Sequence, residues 1–156
     1  MSVAVTIEDP AAPEIVDLLE THLTLMRSTT PPESVHALDI EALRAADIAF
    51  WTVRDDGAVI GCGAMKALGG GHGEIKSMHV RTAHRGLGIA DLLVKAVLAE
   101  AGRRGYTRLS LETGSTDHFA AARRLYARYG FAECGPFGDY THDPHSTFMT
   151  KALEAV

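Results

Sequence analysis

The sequence predicts an α/β protein of the α+β kind, one domain over residues 1–156 in which an antiparallel meander is followed by alternating helices and strands. Three observations lead there. Strand-like runs recur at Ile48 to Arg54, Ala58 to about Leu68 and Glu74 to Val80, and the turn signal Asp55-Asp56-Gly57 joins the first two. From Gly88 the period becomes helical, with Ile89, Leu92, Leu93, Ala96 and Val97 on one face. A chain of 156 residues, 46% of them hydrophobic, buries one core, and no repeat, linker or low-complexity tract divides it.

In order, Val3 to Ile7 alternates as a strand and Asp9-Pro10 ends it. From Pro13 to about Arg27, residues Ile15, Leu18, Leu19, His22, Leu23 and Met26 recur at helical spacing, until Thr29-Thr30-Pro31-Pro32 stops the helix. A short helix at Ile40 to Ala45 precedes the meander. Gly69-Gly70-Gly71, with Gly73 close behind, reads as a flexible hairpin loop rather than a phosphate cradle, because no helix pattern follows it. The helix opened at Gly88 fades near Gly102 and Gly105, and Arg108 to Glu112 forms a strand. Ser115, Thr116 or Asp117 caps a further helix through Tyr129, Gly130 terminates it, and Thr147 to Lys151 is the last strand. The predicted order is β-α-α-β-β-β-α-β-α-β-β.

Composition excludes several classes. The formal net charge of -5 argues against a nucleic-acid binder. The start MSVAVTIEDP lacks the basic and apolar parts of a signal peptide, and nowhere do ~18 apolar residues run uninterrupted, so a soluble, cytoplasmic protein with no membrane partner is expected. Cys62 and Cys134 make neither a disulfide framework nor a metal spacing and read as two buried thiols. His142 and His145 flank Asp143-Pro144, which reads as a surface turn, so no metal is expected. Charge is nevertheless uneven. Residues 1–60 set eleven acids against Arg27, Arg44 and Arg54, whereas residues 81–128 set nine bases against Asp91, Glu100, Glu112 and Asp117. A compact anionic ligand suits the second segment.

That segment contains Arg85-Gly86-Leu87-Gly88-Ile89-Ala90, between a strand and an amphipathic helix. Backbone N–H groups at a helix start are unpaired, and the helix dipole adds positive charge there, so a phosphate is favoured. Glycines permit close approach, and Arg85 adds a charge-assisted contact. A dinucleotide-binding G-x-G-x-x-G needs a third glycine where Asp91 stands, and the Gly-Lys-Ser/Thr of a P-loop is absent.

The string GEIKSMHVRTAHRGLGIADLLV resembles the motif of Gcn5-related N-acetyltransferases (GNAT), in which a strand bearing a glutamate leads to Arg/Gln-x-x-Gly-x-Gly/Ala, here Arg85, Gly88 and Ala90. The later ARRLYARYGF resembles the family's second signature, seen as Leu125-Tyr126 and Gly130-Phe131. The resemblance implies a GNAT fold: a mixed, mainly antiparallel central sheet flanked by helices, with splayed fourth and fifth strands and acetyl-CoA in the opening. It implies that backbone groups of Met78, His79 and Val80 bind the pantetheine arm and acetyl carbonyl, and that Gly86, Leu87, Gly88, Ile89 and Ala90 hold the pyrophosphate. Where many members carry a cofactor-contacting asparagine, this chain has Phe119, whose ring packs on the pantetheine without replacing the amide's hydrogen bonds.

The resemblance further implies direct transfer of an acetyl group from acetyl-CoA to a primary amine of a small molecule or peptide. Glu74 stands where the family's strand often carries a general base, and burial beside Ile75 is expected to raise its proton affinity. Tyr126 matches the usual acid for the departing thiolate, and its helical face, shared with Phe119, Ala122 and Tyr129, points it inward. The His79 ring is a further titratable group near the carbonyl. Acceptor determinants are expected in the loop from Ser34 to Asp39, with His36 and Asp39 foremost, and in Phe137 to Asp143; the acidic N-terminal segment favours a small cationic amine. The alternatives are a catalytically idle acetyl-CoA-binding sensor or structural module, and a nucleotide binder of another family. A homodimer is compatible with the sequence but not required by it.

Overall fold

A computed structural model describes residues 2–34 and 40–154. In chain order these form β1 (Val3–Ile7), α1 (Pro13–Thr29), α2 (Ile40–Leu43), β2 (Ile48–Asp55), β3 (Ala58–Gly69), β4 (His72–Val80), α3 (Ile89–Arg103), β5 (Arg108–Gly114), α4 (Ala120–Arg128), β6 (Ala132–Cys134) and β7 (Ser146–Ala152). The order matches the sequence pattern, with shifted ends. Gly69, Gly70 and Gly71 all have positive φ and complete the β3–β4 hairpin by themselves, so β4 starts at His72 rather than Glu74. The expected side-chain cap of α4 is a correction: Thr116 makes no cap hydrogen bond, Ser115 Oγ donates to the Pro144 carbonyl, and a 3₁₀ turn at Asp117–Phe119 delays the helix to Ala120.

The strands make one sheet in the order β1-β2-β3-β4-β5-β7-β6, antiparallel throughout except between β4 and β5. The β2–β3 turn has Asp56 at φ 48° and Gly57 at φ 89°, the two positive values a tight hairpin of this twist requires. One face of the sheet, with Trp51, Val53, Met65, Ile75, Leu109, Leu111 and Met149, packs on Leu93, Val94 and Val97 of α3 and on Leu125 and Tyr126 of α4. The other face, with Phe50, Val59, Cys62 and Ala64, packs on Ile15, Leu18 and Leu19 of α1 and Leu43 of α2. Each such buried aliphatic side chain contributes roughly 1.5–3 kcal/mol through removal from water.

Two irregularities open the sheet at its middle. The parallel pairing of β4 with β5 runs only from His72↔Arg108 to Ile75↔Leu111, after which the strands part, as the resemblance implies. On the other side of β4, Cys62 pairs with His79 and Ala64 with Lys76, so three steps of β4 match two of β3. The extra residue is a bulge around Ser77, whose φ of 55° is unusual for a residue with a side chain. The bulge shifts the alternation: Glu74, Lys76 and His79 lie on the α1 face, while Ile75, Met78 and Val80 lie on the α3 face. Gly63 opposite accommodates this, since an added Cβ there would stand 3.2 Å from Met78 Sδ.

The edge at β1 and β2 is tied by charge. Arg54 donates to Glu8 Oε1 and Oε2 at 2.8 Å each and to Glu14 Oε1 at 2.8 Å, and Thr52 also donates to Glu8. The Arg54 guanidinium pulls the Glu8 carboxyl down to about 2. A carboxyl lowered in the folded state stabilises the fold fully above its ordinary range near 4.5, and the gain is lost as pH falls towards 2. Thermal denaturation from pH 6 to pH 2 is expected to show a loss of roughly 2 kcal/mol from this contact, and Glu8→Gln is expected to remove that share.

Candidate active site

Beyond Ile75 and Leu111, β4 and β5 diverge into a cavity of about 440 Å³ lined from β4, β5, α1, α3 and α4. Met78, His79 and Val80 line it from the edge of β4 that β5 leaves unpaired. At one end stand Arg85, Gly86, Gly88, Ile89 and Ala90, with Leu87 between them exposed on the surface. Gly86 and Gly88 have φ of 79° and 80°, and an added Cβ at either would meet no protein atom within 4 Å. Gly88 is the N-cap of α3 and makes no side-chain cap bond, so the first N–H groups of this helix face the opening. Space, donors and helix dipole together fit a pyrophosphate.

Asp91, in the first turn of α3, would repel such an anion if left alone. It accepts from Tyr129 Oη at 2.8 Å and Arg128 Nη2 at 3.1 Å, and the tyrosine hydrogen bond, followed by the arginine, holds its carboxyl below the usual range. The contacts also clamp α3 to the end of α4. Phe119 closes the far side of the cleft. Its ring fills the place that a side chain at Gly114 would take, for an added Cβ would lie 1.9 Å from Phe119 Cδ2. Arg123 Nη1 donates to the carbonyls of Gly114 and Thr116 and holds this end of β5 against α4.

Glu74 and Tyr126 reach the cavity from opposite faces of the sheet. Glu74 is 4% exposed, accepts from Tyr140 Oη at 2.5 Å, and pairs with Lys76 Nζ at 3.2 Å, both on Oε2. Lys76 Nζ also donates to Tyr140 Oη at 2.9 Å. Tyr126 is 5% exposed and stands edge-on to Phe131, and its hydroxyl has no hydrogen-bond partner among the described residues. Burial pushes its phenol above the ordinary range, so it keeps its proton at neutral pH.

His79 meets His22 of α1, with their Nδ1 atoms 3.2 Å apart and both side chains buried. Burial, then the charge of Arg85, holds His22 down to about 4; burial, then His22 and two arginines, holds His79 down to about 3. Both rings are therefore neutral near pH 7, and one Nδ1 donates to the other. Cys62 donates to the Ser77 carbonyl, and burial pushes its thiol up to about 12, which makes it unreactive.

The cavity is lined by Glu74, Met78, His79 and Val80 of β4, by Arg85, Gly86, Gly88, Ile89 and Ala90 of the glycine loop, and by Phe119 and Tyr126, all singled out in the sequence, while Leu87 lies outside it. His36 and Asp39 lie outside the described residues. Sequence reasoning missed Tyr140 and Lys76 as partners of Glu74, and it read His22 only as part of an apolar helix face. Lys76 was legible, since two steps along a strand return to the same face. Nothing local marks Tyr140, which is 66 residues from Glu74. The acidic N-terminal segment is less bare than its count: Glu8 and Glu14 pair with Arg54, Asp9 with Arg44, and Asp17 with Arg81. Among the described residues no three His, Cys, Asp or Glu side chains converge as a metal site would require, and no helix is long and apolar enough to cross a membrane.

Residues 13–131 match the acetyltransferase (GNAT) family. The chain is 46% identical to the uncharacterized N-acetyltransferase YsnE of Bacillus subtilis, over 96% of this chain and 99% of that protein. It is 39% identical to the IAA acetyltransferase of Azospirillum brasilense, over 97% of this chain and 99% of that one. Its fold also resembles that of the PaiA N-acetyltransferase of Thermoplasma acidophilum, solved in complex with coenzyme A, with a TM-score of 0.74 at 13% identity over 98% of this chain and 100% of that one.

Proposed function

Since the chain belongs to the acetyltransferase (GNAT) family and is an acetyl-CoA-dependent N-acetyltransferase, we propose that it moves the acetyl group directly to a primary amine, with Glu74 as base and Tyr126 as acid. The observation that carries this reading is the meeting of a buried carboxylate and a buried phenol in one cavity from opposite faces of a splayed sheet. Acetyl-CoA lies along β4 in this reading, with its pyrophosphate at Gly86 to Ala90 beside Arg85 and its pantetheine against Met78, His79, Val80 and Phe119. The amine enters from the α1 face. Its nitrogen attacks the thioester carbon as its proton passes to Glu74, directly or through one water; the C–N bond forms, the C–S bond breaks, and the thiolate takes the phenolic proton of Tyr126. A phenol held protonated by burial suits the last step.

The acceptor in this reading is a small cationic amine. Because four of the N-terminal acids are paired with arginines, support comes instead from the cavity, where Glu74 and Glu112 accompany Lys76 on the acceptor side. Steady-state kinetics on polyamines, basic peptides, free amino acids and IAA, the last because of the relative's name, test this. A higher kcat/KM for the polyamines and basic peptides that falls with salt is expected. A preference for carboxylate-bearing acceptors, unaffected by salt, would show that charge does not choose the acceptor.

A further inference from the structure

The segment between β6 and β7 crosses the acceptor side of the cavity and carries Tyr140 down to Glu74. It is anchored at several points. Tyr140 N donates to the Phe137 carbonyl, the rings of Phe137, Tyr140 and Phe148 pack edge to face or tilted at 5.1 to 5.9 Å, and Ser34 Oγ donates to Asp143 Oδ2 at 2.6 Å. The Tyr140 ring is thus held by packing, and its hydroxyl by two polar partners, Glu74 and Lys76. On Glu74 both contacts fall on the same oxygen, Oε2. A carboxylate with one oxygen engaged by two donors has its plane and rotamer set, and it turns the second oxygen in a single direction.

We propose that Tyr140 is a positioning residue for acetyl transfer: with Lys76 it engages Oε2 of Glu74 and so presents Oε1 to the incoming amine. The base is then composite, a carboxylate from β4 whose aim is set by a loop that follows it by more than sixty residues. The loop that covers the acceptor thereby also sets the base, so acceptor binding and proton removal share one support. Side-chain positioning of this kind matters because a reacting group displaced by about 1 Å loses up to ~100-fold in rate. This inference rests on the reading of Glu74 as the base.

The test is a double-mutant cycle on Tyr140→Phe and Glu74→Gln. Acetyl-CoA is the donor, and the acceptor is whichever of spermidine, lysine, a basic hexapeptide and IAA gives the highest kcat/KM. Tyr140→Phe keeps the ring and its packing and removes only the hydroxyl. Its kcat is expected to fall roughly tenfold with the KM for acetyl-CoA unchanged, and the same change in a Glu74→Gln background to cost less than about twofold. Lys76→Met, which removes the other donor, is expected to lower kcat in the same direction and serves if Tyr140→Phe folds poorly. A wild-type kcat in Tyr140→Phe, or the same fold loss in both backgrounds, overturns the positioning role while leaving Glu74 as base. Full activity in Glu74→Gln overturns both.

Discussion

Gly88→Val is expected to weaken coenzyme A binding by about a hundredfold or more, the largest change of any single substitution in the cleft. Two effects add. Gly88 has φ of 80°, a region that a β-branched residue enters only with strain, so the loop must shift to accept valine. The added side chain would also occupy the opening, since no protein atom stands within 4 Å of where its Cβ would project. Arg85→Ala removes a single charge-assisted contact and is expected to cost roughly 1–3 kcal/mol, about a fivefold loss at the lower end. Calorimetric titration with coenzyme A separates the two, given a folded Gly88→Val protein. Unchanged affinity in that variant would contradict the placement of the pyrophosphate.

The second large effect is on turnover. Tyr126→Phe is expected to lower kcat by about a hundredfold with little change in acetyl-CoA affinity, because the ring still packs on Phe131 while the proposed proton donor is gone. Glu74→Gln is expected to lose a comparable factor, most at lower pH, where the amine is most protonated and a base matters most. The variants differ in what they leave behind. Glutamine is still able to accept from Tyr140, so the loop between β6 and β7 is expected to stay docked, whereas Tyr126→Phe removes the proposed donor to the thiolate. Both variants retaining full kcat across the pH range would refute these roles.

How much of this was legible in the sequence follows from the range of the interactions. The meander, α3 and the glycine loop were legible because hydrophobic period and glycine placement are local signals: Asp56 and Gly57 take the positive φ values their turn demands, and Gly88 caps α3 as its motif implies. The inward aim of Tyr126 was expected from the helical face it shares with Phe119, Ala122 and Tyr129, and the structure buries it together with Leu125. The bulge at Ser77 was not, since no glycine or proline marks it, and yet it decides that His79 rather than Met78 meets α1. Three further features depend on chain segments that meet only in the fold: Tyr140 with Glu74, Ser34 with Asp143, and Asp91 with Arg128 and Tyr129. The charge count of the N-terminal segment does not show pairing for the same reason: Arg54, within the count, meets Glu8 and Glu14 only in the fold, and Arg81 reaches Asp17 from beyond β4.

In the proposed function the β4–β5 cleft transfers an acetyl group rather than merely holding coenzyme A. Release of thiol from acetyl-CoA, followed over a panel of primary amines alongside mass-spectrometric detection of the N-acetylated product, tests it most directly. Wild-type protein is expected to release thiol and form product in equal amounts and only when an amine is present, and Tyr126→Phe to bind acetyl-CoA normally while losing nearly all of that release. Tight acetyl-CoA binding by both proteins with no amine-dependent thiol from either would contradict the account and make the chain an acetyl-CoA-binding module.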